Sequence, residues 1–576
     1  MNKALHSLLD TYRGSYDTVN AAQILGLMAV IIKLADENKL PEGIELSSNI
    51  NFEEVKKLVE YFFPYWEEVF NLFMKEMTNN ELTEYLAALK MLLQSGAASY
   101  RDIVYAIANL SEGFHSGFFH TPYELIQLAV SMKPDEDTKL YCPFESCVSF
   151  ISELPVNSNI AIETKHAQTA MFAEMFNLLL DLNAKVNCSD PIASPSFIGE
   201  GGLQQFDSSF AFPAVNVKYS KVKDIWDRFP ENALMGEVYH LRHMLAQSDF
   251  VAAYVSSGFL HRSAAGEGEF KRDILEKGWL KAVVALPQKL LAQSGISINL
   301  IILDKKHNSR ATLFVDASGD EFTQSIGRSR NKLTNIHYIS ELVEDMRPSE
   351  ISELVTMEGI TENNFSLSPS RYVISEEEKQ IQEFLDNHDS KELAEIATLI
   401  RPQPLKHKES GNHEFTEFSI HDINSVGQLT GYGRSVKVSL VDKVKASKQI
   451  IKPGDLLVVC KGAIGKVAVV PDDIPENSIA SQVFSIIRVH STSGISTIAL
   501  YQFFISAVGQ SQLQGVATGT TALMIASKAM ANFKVPSFNE EELQRAEQIR
   551  SQVLAINTQM EKLSAEISGL NQSWPV

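Results

Sequence analysis

Between about residues 139 and 316, short apolar runs alternate with stretches long enough for a helix, and this alternation limits the fold more than any other feature. The runs are Lys139-Leu140-Tyr141, Ile160-Ala161-Ile162, Phe250 to Val255, Leu280 to Leu286 and Leu300 to Leu303. Thr169 to Leu182 and Gly268 to Lys277 are two of the connectors. A strand covered on both faces is apolar throughout, and parallel neighbours must be joined by a crossover. The pattern therefore predicts an α/β fold on a largely parallel, doubly wound sheet, expected over 111–375.

The flanking texture sets the other boundaries. Residues 1–110 space apolar side chains at three and four, as in Ile24-Leu25, Leu27-Met28 and Val30-Ile31, and read as a helical domain. The polar stretch from Ser375-Glu376-Glu377-Glu378 reads as a helical linker, 376–400. After Arg401, short β-branched runs broken by glycine and proline predict a separate β-rich domain, 401–540. A last helix is expected over 541–576. Its residues Ile549, Val553, Ile556, Met560, Leu563, Ile567 and Leu570 step alternately by four and three. That is a coiled-coil seam, suited to self-association or to a partner subunit.

Composition narrows the function classes. A chain of 576 residues that is 44% hydrophobic and 21% charged is a folded protein of several domains. Its apolar runs, such as Gly26 to Ile32, fall far short of the roughly 18 residues of a membrane span, so no membrane partner is expected. Met1 to His6 show no secretory pattern and the four cysteines form no disulfide framework, which points to the cytoplasm.

The net charge of −20 opposes nucleic-acid binding for the chain as a whole. Residues 401–470, however, hold eleven basic and six acidic side chains, a balance of +5 that leaves −25 for the remainder. A basic module on an acidic body concentrates phosphate binding in one place. Arg434, Lys437, Lys443, Lys445 and Lys448 are the candidate contacts to double-stranded DNA.

Phe118-Phe119-His120-Thr121-Pro122 resembles the opening of the methyltransferase domain of type I restriction-modification systems, whose M subunits are N6-adenine DNA methylases. The resemblance continues in order through Ile160 to Glu163, Ala170 to Leu180, Phe206-Asp207, Ala282 to Pro287, Ser294 to Leu303, Leu313 to Ser318 and Asn364 to Tyr372. Residues after about Glu395 are similar to the specificity subunit of the same systems. The marks are Pro453-Gly454-Asp455, Lys461 to Gly465, Ala480-Ser481-Gln482 and Gly519-Thr520-Thr521. The resemblance implies a Rossmann-like methyltransferase domain fused to one target-recognition domain that ends in the coiled-coil helix. It also implies a setting in prokaryotic antiviral defence, with an effector nuclease or translocase as a further partner.

Two motifs carry the chemistry in that family, and both are degenerate here. S-adenosylmethionine is held by Asp-Pro-x-x-Gly-x-Gly-Gly after the first strand, where glycine lets the backbone approach the ligand. This chain reads Cys142-Pro143-Phe144-Glu145-Ser146-Cys147-Val148-Ser149, and Val148 is the costliest replacement if that position needs a positive φ. Glu163, ending the second strand, is the one candidate for a ribose contact. The catalytic Asn-Pro-Pro-aromatic motif, which grips the flipped adenine, is replaced by Phe212-Pro213-Ala214-Val215. Phenylalanine offers no acceptor, and valine offers no stacking face.

The expectation is therefore a pseudo-methyltransferase with no catalytic residue and no cofactor, binding or sensing DNA for a restriction-like system. Two other readings stay open. One is an active adenine-N6 methyltransferase with an unconventional site, which alone would use S-adenosylmethionine; the other is an assembly scaffold for a partner effector. Cys142 and Cys147 lack a second pair for zinc, His240 and His243 read as helix surface, and Gly199-Glu200-Gly201-Gly202 reads as a flexible loop.

Overall fold

The fold is that of a computed structural model. It describes residues 18–42, 52–63, 78–110, 121–154, 158–374, 388–406, 411–517 and 524–572, together with 5, 7, 8, 379, 383 and 385. Within those ranges 216, 221, 264–265, 292–295, 308, 328–329 and 431–432 are excepted. Phe118 to His120, Ser375 to Glu378 and Gly519 to Thr521 lie outside the described residues. The chain divides into two compact units, 1–373 and 374–576.

In the first unit nine strands form one sheet. They are β1 (Lys139–Pro143), β2 (Asn159–Thr164), β3 (Ala184–Cys188), β4 (Phe206–Ala211), β5 (Ser248–Ser256), β6 (Leu280–Ala285), β7 (Ile298–Asp304), β8 (Ala311–Asp316) and β9 (Ser352–Thr356). Their order is β9-β8-β6-β7-β5-β4-β1-β2-β3. The sheet is parallel except that β7 runs against both its neighbours and β9 runs against β8.

Successive side chains leave opposite faces, and both faces are dry. Phe250, Ala252 and Tyr254 of β5 enter one core with Ala282, Val284, Leu300 and Ile302, while Val251, Ala253, Val255, Val283, Ile301 and Leu303 enter the other. This is why the strands read as unbroken apolar runs.

The helices α1 (Thr18–Asp36), α2 (Asn79–Gln94) and α3 (Tyr100–Leu110) do not form a core of their own. Ile24, Leu25, Met28, Leu89 and Ile107 belong to the same cluster as the first sheet face and the helices α4 (Cys147–Ile151) and α5 (Ala167–Leu179). The expected boundary at residue 110 therefore separates no two bodies. Gly26 shows how close the layers are: a Cβ there would meet Met175 Sδ at 2.7 Å and Ile107 Cδ1 at 3.2 Å.

The second unit is β-rich. Strands β10 (Ala397–Ile400), β11 (His413–Phe418), β12 (Arg434–Val438), β13 (Leu456–Val459), β14 (Val467–Val469), β15 (Ser478–Ala480) and β16 (Phe484–Val489) make two sheets, β10-β16-β13-β14 and β12-β11-β15. Residues 388–400, expected in a helical linker, depart from that expectation. They supply the strand Ser390–Glu392, paired with Lys534–Pro536, then a four-residue helix and β10. Leu393, Ile396 and Ala397 are buried, so this stretch is driven into the core of the unit by its apolar residues despite its polar start.

The final helix runs from Glu540 to Gln572. Asn539 caps it, accepting from Glu542 N at 2.9 Å while Asn539 N donates to the Glu542 carboxylate at 2.8 Å. Near its start, Arg550 is buried. It donates to Val426 O at 2.6 Å and Gly427 O at 3.2 Å and lies 4.3 Å from the Tyr501 ring centre. Beyond that anchor Ile556, Met560, Leu563, Ile567 and Leu570 are all more than half exposed. Among the described residues no helix is long and apolar enough to cross a membrane.

Candidate functional site

Open α/β sheets take ligands at the carboxyl ends of their strands. In the first unit that place lies where β1, β2, β3 and β4 finish. After Pro143 the backbone turns through Phe144, whose φ is +73°. A side chain in this left-handed region is unusual and costs about 1–2 kcal/mol. Its amide donates to Glu163 O at 2.8 Å, and its ring lies 4.6 Å from that of His240, nearly excluded from solvent.

The strain falls at Phe144 and not at Val148. Val148 is buried within α4, an ordinary helix, so no glycine-like conformation is needed there. Ser146, just before that helix, accepts a hydrogen bond from Phe212 N at 2.8 Å and so ties the turn after β1 to the segment that follows β4.

Glu163 ends β2 and is fully buried. One oxygen accepts from Ser196 N at 2.5 Å and Ser196 Oγ at 2.6 Å, and the other accepts from the Tyr141 hydroxyl at 2.5 Å. Burial pushes its pKa up, against the pull of those hydrogen bonds. Tyr141 O also lies 2.8 Å from His243 Nε2, and His243 Nδ1 lies 2.7 Å from Arg228 Nη1.

The donors order this chain. Arg228 can only donate, so His243 Nδ1 accepts; Nε2–H then donates to Tyr141, which donates to Glu163. His243 is held neutral because burial, with Arg228 beside it, drives its pKa far down. Arg228 is fixed in turn by Pro191 O at 2.8 Å, Ile192 O at 2.7 Å and an ion pair with Asp224 at 2.9 Å.

His240 and His243, expected on a helix surface, are therefore buried. Their helix, α6 (Gly236–Gln247), is enclosed on nearly every side. His240 Nε2 meets the Tyr219 hydroxyl at 3.1 Å, and burial lowers its pKa to about 4. Glu145 meets His166 Nε2 at 3.0 Å, with Lys165 at 3.9 Å; burial pulls its pKa up, but these partners prevail and hold it below the usual carboxylate value.

Phe212 turns its ring into the core, 5.1 Å from that of Tyr254 and 2% exposed. Pro213 is buried, Ala214 exposed and Val215 half-buried. The space left among Phe144, Glu145, Lys165, Asp190, Ala214 and His240 is a cavity of about 20 Å³. That is room for about one water, whereas small-molecule pockets measure roughly 300–1,000 Å³.

The five candidate DNA contacts fall on one continuous strand and helix of the second unit. Arg434 and Lys437 lie on β12, where they face Glu417 and Glu414 of β11 in register, and Arg434 pairs with Glu417 at 3.1 Å. Lys443 and Lys445 lie on α7 (Leu440–Ser447), which Lys448 follows. Lys445 pairs with Asp442 at 2.8 Å, while Lys443 and Lys448 are exposed. Gly199 and Gly202, expected in a flexible loop, pair as a two-residue-strand hairpin. Among the described residues no cluster could hold a metal ion.

Sequence reasoning missed Tyr141, Ser196, Arg228 and His243. Only Tyr141, inside an apolar run, carried a signal of burial.

Residues 100–381, just under half of the chain, match the family model of N-6 DNA Methylase. The type I restriction enzyme MpnII methylase subunit of Mycoplasma pneumoniae is 24% identical over 144 residues, 25% of this chain and 26% of that one. The HindI methylase subunit of Haemophilus influenzae is 22% identical over 309 residues, 47% of this chain and 66% of that one. The MjaVII methylase subunit of Methanocaldococcus jannaschii is 30% identical over 136 residues, 23% of each chain. The chain thus spans about a quarter of two of these curated relatives and 66% of the third. Among solved structures, the type I restriction-modification methyltransferase subunit from Streptococcus thermophilus shares the fold. The TM-score is 0.54 and the identity 18%, covering 65% of this chain and 99% of that one.

Proposed function

We propose, from the match of residues 100–381 to the N-6 DNA Methylase family, that this chain is a catalytically silent relative of type I methylase subunits. In this reading it binds or senses double-stranded DNA through its second unit, as part of a prokaryotic restriction-like defence. The observation that carries the reading is the closed carboxyl end of the sheet. S-adenosylmethionine does not fit there. The cavity is about 20 Å³, and the Phe144 ring lies against His240. The Glu163 carboxylate that would grip a ribose is already held by Ser196 and Tyr141.

The acceptor side supports the same reading. Adenine-N6 transfer needs a hydrogen-bond acceptor and a stacking face at the catalytic motif. Here the first position is a core phenylalanine and the last a half-buried valine. The basic stretch 401–470 supports phosphate binding by the second unit, with Arg434, Lys437, Lys443, Lys445 and Lys448 as contacts. The exposed apolar face of the terminal helix supports pairing with a second copy or a partner subunit.

Calorimetric titration of the full chain with S-adenosylmethionine tests the reading. No heat of binding is expected up to millimolar ligand. A micromolar dissociation constant, or transfer of labelled methyl to duplex oligonucleotides, would restore the active-enzyme reading and end this one.

A further inference from the structure

The helix α7 has its faces the wrong way round for a helix that only supports a core. Its inner side buries Ala446 among Phe415, Val436, Val438 and Ile479, and it buries the polar Asp442 as well. Its outer side presents Leu440, Val441 and Val444, which are 69%, 72% and 57% exposed. Three adjacent aliphatic side chains on a helix whose core contacts are already made form a contact surface.

Cations share the strand and helix segment that carries this apolar patch. Lys443 and Lys448 are exposed on or beside the same helix, and Arg434 and Lys437 lie on β12, which leads into it through Ser439. The segment is the basic part of an otherwise acidic chain. Its charge complements a polyanion, so we commit to duplex DNA as the occupant.

The chemistry of the patch then says what is touched. An α-helix fits the major groove, and aliphatic side chains offer no hydrogen bond to a base edge. The apolar group displayed in that groove is the C5 methyl of thymine. Resting on the DNA-binding reading above, we infer that α7 enters the major groove and packs Leu440, Val441 and Val444 on thymine methyl groups. Arg434, Lys443 and Lys448, all exposed, fix its position through phosphates. The protein thereby prefers sites containing thymine for the methyl group rather than for the base pairing.

The test uses the full chain and a random-sequence duplex pool, enriched by repeated capture. The enriched duplex is then synthesised with deoxyuridine in place of thymidine, which removes only the methyl groups. The expected loss of affinity is about fourfold for each methyl contacted. The triple variant Leu440→Asn, Val441→Asn, Val444→Asn should bind the thymidine and deoxyuridine duplexes alike, with an unchanged melting temperature because all three positions are more than half exposed.

Equal affinity of the native chain for the two duplexes overturns the inference and leaves the DNA-binding reading standing. So does a variant that keeps the full discrimination. Variants that leave DNA binding untouched but change the sedimentation coefficient overturn it in favour of a protein contact. If no duplex is enriched at all, the DNA-binding reading fails and takes the inference with it.

Discussion

The carboxyl end of the central sheet and the outer surface of the β12–α7 segment treat polar side chains in opposite ways. At the sheet end the central polar network is turned inward. Glu163, Arg228 and His243 are buried and bonded to one another through Tyr141. On β12 and α7, by contrast, Arg434 and Lys443 stay in water, and aliphatic side chains are left without cover. Turned inward, the polar groups of the sheet end satisfy one another, because an empty polar cradle would leave buried groups unpaired. The β12–α7 surface can stay open, since exposed charges cost little and three exposed aliphatics are tolerable.

The largest expected effect tests the inward half. Arg228→Ala leaves Asp224 buried without its partner, and loss of one member of a buried pair costs about 3–5 kcal/mol. Denaturant unfolding of the full chain should show the first unit's transition shifted by that amount. A cost below about 1 kcal/mol would break the comparison, because the network would then not be a structural filling.

A smaller effect sharpens it through pH. His240 keeps a pKa near 4 when folded, against about 6.5 when unfolded. Between those values the unfolded chain binds more protons, so this group's contribution is present above pH 6.5 and is lost as pH falls toward 4. The native chain should lose stability relative to His240→Asn by up to about 1.4 kcal/mol per pH unit across that window. A flat difference would show that the imidazole is not held neutral by burial.

The smallest effect on stability belongs to the outward half. Arg434→Gln breaks an exposed pair with Glu417 and should change stability by no more than about 0.5 kcal/mol. The same substitution should lower the slope of log affinity for DNA against log salt by about one. A stability loss as large as that of Arg228→Ala would erase the distinction between the two regions.

The sequence made the sheet legible because strands buried on both faces cannot hide. Runs such as Leu300 to Leu303 have one reading at that length and spacing. Glu163 was also legible, as an acid at the end of an apolar run. Its occupation was not, because Ser196 and Tyr141 are distant in the chain and each is unremarkable alone. Histidine on a polar-looking helix defaults to solvent, and nothing local announces that α6 is enclosed on nearly every side. Phe144 escaped for a different reason. A positive φ at a non-glycine residue is imposed by tertiary packing, and the glycine-pattern argument directed attention to Val148 instead. Residues 388–400 escaped because a strand of three residues is shorter than any periodicity can resolve.

The grip of Arg550 on the Val426 and Gly427 carbonyls and on Tyr501 makes the terminal helix a lever with a fixed fulcrum. At 1.5 Å per residue, about 33 Å of helix extends past that point to Gln572. Val553, Leu554 and Asn557 are still half-buried and every side chain from Thr558 to Leu570 is exposed, so a small tilt at the root becomes a wide sweep at the tip.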